Sequence, residues 1–340
     1  MREIVASILI ASTWVAPAPA SSAPGYHVTD TLKIGGDDGW DYLAFDPASR
    51  RLFVSHGTHV VVVDADTKAT VGDIPDTPGV HGIAIATDLG RGFVSNGRGA
   101  TATIFDLKTL AKIGEVKTGE NPDAILYDRA SGRVFTFNGR SGDATAFDAA
   151  KGTVAGTIAL GGKPEFAVAD GKGRAYVNIE DKSEIVALDT KDLQVKSRWP
   201  LKPCEEPSGL AFDTGHGRLF AVCGNKLMAV VDAASGRLVT TLPIGGGVDG
   251  AAYDPDLGLV FASAGEGTMT VVHEDSPDAF RVVESVPTQA GARTLALDPK
   301  THRLFLSAAR FGPRPAPTAE VPRPRPSLVP GSFVVLVVGR

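Results

Sequence analysis

The chain has 340 residues, 43% of them hydrophobic, and its 34 Lys plus Arg fall short of its 39 Asp plus Glu, for a formal net charge of −5. That balance argues against non-specific nucleic-acid binding, which needs a basic surface to displace counterions from phosphate. Glycine is abundant and helical periodicity is nowhere sustained, so an all-β domain is expected; closed β architectures reach this length as single domains.

Residues 1–20 read as a leader rather than as part of the fold. Arg2 supplies a positive start, Ile4 to Val15 is apolar, and Ala18-Pro19-Ala20 fits a small-x-small cleavage site. Cleavage is expected after Ala20, because Ala18 and Ala23 are each followed by proline. The apolar run is too short to span a membrane, and no cysteine follows it to carry a lipid. A signal peptide over 1–20 and one periplasmic or secreted domain over 21–340 are therefore expected.

His27 to Ile34 has strand character but no partner nearby. From Leu43 onward a unit of about forty residues recurs seven times. An Asp closes its first apolar run at Asp46, Asp128, Asp170, Asp213, Asp254 and Asp298, with Ala86 in that place in the second copy. Another closes its third run at Asp64, Asp106, Asp148, Asp189 and Asp232, with His273 as the variant. Four short β-rich runs per unit at this period predict a seven-bladed β-propeller. In the first unit the strands fall at Leu43 to Phe45, Leu52 to Ser55, Val60 to Asp64 and Thr70 to Ile74. The repeated Asp residues read as turn builders, since a short carboxylate bonds the amides that follow it. The seventh unit offers Thr294 to Asp298, Arg303 to Ser307 and Phe333 to Val338 but no fourth run. The N-terminal strand is expected to supply it, closing the ring and removing an open sheet edge.

Two segments fall outside the pattern. Phe311 to Gly331 carries Pro313, Pro315, Pro317, Pro322, Pro324, Pro326 and Pro330 interleaved with Arg314, Arg323 and Arg325. Such a run cannot sustain a ladder and predicts an extended strap across one face. Cys204 enters the fifth unit and Cys223 ends its second strand, both toward the same face. In an exported protein that placement predicts a disulfide.

The element Phe93-Val94-Ser95-Asn96, with Phe53-Val54-Ser55-His56 and Tyr176-Val177-Asn178, resembles the Tyr-Val-Thr-Asn element of the YVTN-repeat, YncE-like propellers. Phe135, Phe220, Phe261 and Phe305 occupy its aromatic position, and Asp64-Ala65-Asp66-Thr67, Asp106-Leu107-Lys108-Thr109 and Asp232-Ala233-Ala234-Ser235 match its later Asp-x-x-[Thr/Ser] element. The resemblance spans the mature chain and implies a propeller, with no common catalytic motif.

Function has to be sought at the channel mouth. Five residues before each inner-strand marker stand Asp41, His81, Asp123, Glu165, Ser208, Asp249 and Arg293, with Glu205 and Glu206 near the fifth. Equivalent positions in seven blades converge on one rim, which can hold a cation or set a carboxylate beside a base, with Arg293 as an anion clamp. His56 and His59, three apart in a turn, and His81 nearby are candidate ligands for a divalent metal ion, the one cofactor the sequence leaves open. No phosphate loop, His-Glu-x-x-His, Gly-x-Ser-x-Gly or Cys-x-x-Cys occurs, and Trp40 and Trp199 are too few for the Trp-rich docking of quinone-dependent propellers. The leading expectation is a monomeric, non-enzymatic propeller binding a small molecule, a metal or an extracytoplasmic protein at its rim. The alternative is a lactonase-like or lyase-like enzyme using His81, Glu165 and Arg293; the third is a DNA-binding propeller.

Overall fold

The computed structural model describes residues 25–318, 324 and 326–340. The expected leader at 1–20 and part of the proline-rich segment lie outside these residues. The chain forms seven four-stranded antiparallel sheets, the blades of a β-propeller. Blade 1 runs Leu43–Asp46, Arg51–His56, His59–Asp64 and Thr70–Ile74, from the channel outward. The next five blades repeat that order, their inner strands being Val80–Ala86, Pro122–Asp128, Pro164–Ala169, Pro207–Asp213 and Val248–Asp254.

Blade 7 takes Leu295–Asp298, Arg303–Ala308 and Val334–Gly339 from the C-terminal end, and His27–Lys33 pairs antiparallel with Val334–Gly339 as its outer strand. Tyr26 and Leu32 bury into the two apolar clusters that flank this blade. The edge a seventh blade of three strands would leave is thus paired.

The repeated Asp residues build turns. Asp64 Oδ1 accepts from the amides of Thr67 at 2.7 Å and Asp66 at 3.1 Å, and Asp106 repeats this with Thr109 and Lys108. In blade 6, where His273 replaces that Asp, no such turn stops the ladder, and the third and outer strands run nine residues each, Thr268–Ser276 and Ala279–Pro287.

The apolar residues gather in seven clusters, one between each pair of neighbouring blades. Phe53, Phe93, Phe135, Phe220 and Phe261, one per blade at the same strand position, are fully buried in them. Blades are also stapled by the residue that opens the second strand: Arg51 donates to Leu107 O, Arg91 to Ala149 O, Arg133 to Thr190 O and Arg218 to Pro277 O, each on the next blade. Tyr176 Oη does the same for Ala233 O.

Cys204 and Cys223 form a disulfide with a Cα–Cα distance of 5.7 Å. The proline-rich segment does make one ladder contact: Phe311 bridges Leu328, and Gly312 N and Val329 N donate to Ser327 O and Arg310 O. Trp40 anchors this stem, its ring 5.8 Å from Phe311 and 5.3 Å from Phe333.

Candidate functional site

The inner strands of blades 2 to 6 each lose register against the second strand at their channel-mouth end, between Val80 and Ile83, Pro122 and Ile125, Pro164 and Ala167, Pro207 and Leu210, and Val248 and Gly250. Those irregularities hold His81, Asp123, Glu165, Ser208 and Asp249. Such a break re-aims one side chain out of the alternating pattern, here toward the channel. Asp41 and Arg293 reach the same place from just ahead of the shorter inner strands of blades 1 and 7.

Neighbouring blades hold these segments by their backbones. Ser95 Oγ donates to Asp123 O, Asn178 Nδ2 to Ser208 O, Ser208 Oγ to Val248 O, Ser263 Oγ to Arg293 O, and Thr294 Oγ1 to Asp41 O. Tyr42 N donates to His81 O. The rim is therefore a preorganised ring rather than a set of independent loops.

The result is a cavity of about 680 Å³ lined by Asp41, His81, Asp123, Glu165, Asp249 and Arg293. Its wall adds Tyr42, Lys163, Glu180 and Glu206, with Phe311 and Pro326 of the strap. Ser208 offers the cavity no hydroxyl proton, because its Oγ donates to Val248 O.

Three cations stand among these carboxyls. Arg293 Nε lies 2.7 Å from Asp249 and its Nη2 3.6 Å from Asp41; His81 Nδ1 lies 2.5 Å from Asp41 and 3.7 Å from Asp123. Lys163 Nζ lies 2.7 Å from Glu165 and also binds Glu180. Arg293 thus stands between the carboxyl groups of Asp249 and Asp41.

Burial and crowding act on protonation here. Burial and then the Asp41 charge push Asp123 up to about 6, against His81 and Lys163. Burial and Asp123 push Glu165 up to about 8 despite Lys163. Burial and Asp41 push Asp249 up to about 7. Burial opposes the charge on His81, but its bond to Asp41 and the charges of Asp123, Asp41 and Glu165 prevail and raise it to about 9. Tyr42 is held well above the usual phenol range by burial and by four of these carboxyls.

The three histidines named as metal ligands do not meet. His81 points from an inner strand into the channel with Asp41 and Asp123, whereas His56 and His59 flank a turn farther out on blade 1 and group with Asp38. Sequence reasoning missed Lys163, Tyr42 and Glu180. Lys163 stands two residues before Glu165, so the same repeat numbering could have found it. Tyr42 and Glu180 had no such signal.

No family model and no curated protein matches the chain. Among solved structures it is similar to a chain of Kuenenia stuttgartiensis hydrazine synthase, with a TM-score of 0.68 and 15% identity over 86% of this chain and 96% of that one. It is also similar to a chain of the mitotic checkpoint complex (TM-score 0.72, 15% identity, 90% and 95% covered) and to U3-55K (TM-score 0.74, 9% identity, 90% and 97% covered). At these identities the likeness shows the fold alone.

Proposed function

We propose that this chain is an exported propeller of the YVTN-repeat, YncE-like kind that binds a small cation, a divalent ion or a compact amine, in the mouth of its channel. One observation carries the reading: among the described residues, six carboxyl groups line one cavity against the cationic side chains of His81, Lys163 and Arg293. Three of those carboxyls are held above the ordinary range. A site that keeps acids protonated by burial, and then by mutual repulsion, gains most from a guest carrying positive charge, which favours their ionised form and turns repulsion into attraction.

The hydrolytic reading draws on the same residues but is less well supported. His81 at about 9 stays protonated at neutral pH and so cannot serve there as a general base. The carboxyl excess also disfavours a phosphate backbone in the channel, which weighs against the DNA-binding reading. Among the described residues no helix is long and apolar enough to cross a membrane.

The test uses isothermal titration with Mn²⁺ and with 1,4-diaminobutane. Asp123→Asn together with Glu165→Gln should abolish the binding of whichever probe the wild type takes, with an unchanged circular dichroism spectrum. Unchanged binding in that variant, with loss on Phe311→Ala in the strap, would place the site elsewhere. Export is tested by N-terminal sequencing, which should begin at Ser21.

A further inference from the structure

Outside the channel, one buried histidine keeps a ring nitrogen without a partner among the described residues. His56 is 3% exposed, and its Nε2 lies 3.0 Å from Gly35 O. A carbonyl only accepts, so Nε2 carries a proton, and in that tautomer the lone pair is on Nδ1. That Nδ1 is buried and has no hydrogen-bond partner among the described residues. A buried acceptor without a donor costs stability, whereas a ring anchored through one N–H to a carbonyl with the other nitrogen bare is the arrangement of a metal-ligating histidine.

Two further candidate ligands lie beside this ring. Ligand atoms of Asp38, His56 and His59 all lie within 4.8 Å of one another, and the two imidazole rings are 4.7 Å apart. In a tetrahedral site built on bonds of about 2.0–2.1 Å, ligand atoms sit roughly 3.3 Å apart, a closure that side-chain rotation supplies. Two glycines with left-handed φ make the approach possible. A Cβ on Gly36 would stand 2.5 Å from His56 Cε1, and one on Gly57 would stand 2.4 Å from Asp38 Cβ. Asp73, 3.7 Å from His59 Nε2, adds negative charge beside the site.

We propose that Asp38, His56 and His59 form a metal site for one Zn²⁺-class ion, with three protein ligands and an open fourth position. His59 also lines a cavity of about 730 Å³ between blades 1 and 2, with Thr58, Asp73 and Glu115, so that fourth position lies within reach of a solute. Two imidazoles and a carboxylate suit Zn²⁺ and, by the same donor set, Cu²⁺; they do not suit Ca²⁺ or Mg²⁺. The site stands independently of the channel reading, since it shares no residue with it.

The test strips the exported protein with chelator and titrates it with Zn²⁺ alone and with Co²⁺ alone. One tetrahedral equivalent should bind, marked by the visible d–d bands of tetrahedral Co²⁺, beside any ion the channel takes. His59→Ala and Asp38→Asn remove ligands without opening the core, and each should weaken binding at least about 100-fold, since even outer partners of a ligand are worth 10–100-fold. Asp123→Asn with Glu165→Gln should keep the full equivalent. No uptake by the wild type, wild-type affinity in both ligand variants, or loss of the equivalent in the channel variant would each overturn the assignment.

Discussion

Replacing Asp123 by Asn and Glu165 by Gln should stabilise the protein in alkaline solution. Both side chains are almost buried, at 14% and 8% exposure, and both carboxyls are raised in the folded state, to about 6 and about 8. A raised acid holds its proton longer in the folded chain than in the unfolded one. Its stabilising effect is therefore complete below the unfolded value near pH 4 and is lost as pH climbs through the folded value. For Asp123 the displacement from 3.8 to about 6 corresponds to about 3 kcal/mol, and Glu165 adds in the same sense. The amides imitate the neutral acids, and the cations keep partners: His81 retains Asp41, and Lys163 retains Glu180. With about 2.1 cal/mol/K of unfolding entropy per residue, 3 kcal/mol amounts to roughly 4 °C in a chain of this length. Thermal melts from pH 4 to pH 9 should show the variant level with the wild type at the acid end and at least about 4 °C above it at the alkaline end. A variant that melts below the wild type at pH 9, or a gap that does not change with pH, would refute the reasoning.

Four further outcomes test the frame. Reducing the Cys204–Cys223 disulfide, which spans a separation of 19 residues, should cost about 3 kcal/mol through the freed unfolded chain; unchanged melting in reductant would contradict this. Leu32→Ala in the closing strand should cost about 2–5 kcal/mol in denaturant unfolding, and deleting residues 27–33 should cause aggregation through the bared edge of Val334–Gly339. Arg133→Ala removes bonds of 2.8 and 2.7 Å to Thr190 O and Lys191 O and should cost about 1.5–3 kcal/mol, with ligand binding in the channel unaltered.

The blades were legible because a propeller repeats its backbone, and the backbone leaves markers: Asp where a turn needs a short acceptor, Phe where two blades meet. The closing strand could be read from what the seventh unit lacked. The disulfide followed from two cysteines on one face. The rim residues could be named because equivalent offsets in a ring converge. Their pairing could not be read, since Arg293 bridging Asp249 and Asp41 depends on the curvature of the ring and on the register breaks that turn each side chain inward. Nor did spacing separate His81 from His56 and His59. Those residues are close in sequence, but one belongs to an inner strand and two to a turn at the blade's side. The arginine staples were visible as letters of the repeat, yet their acceptors are carbonyls on another blade, which no side-chain pattern reveals.

The central claim, that a cation displaces protons from crowded carboxyls at the channel mouth, is tested most directly by counting those protons. Mn²⁺ or 1,4-diaminobutane is titrated calorimetrically near pH 6.5, in buffers of different ionisation enthalpy and again at higher and lower pH. The account predicts release of about one proton or more per cation bound and affinity that rises with pH, both absent in Asp123→Asn with Glu165→Gln. Binding with no proton release, or with the same affinity at every pH, would contradict it.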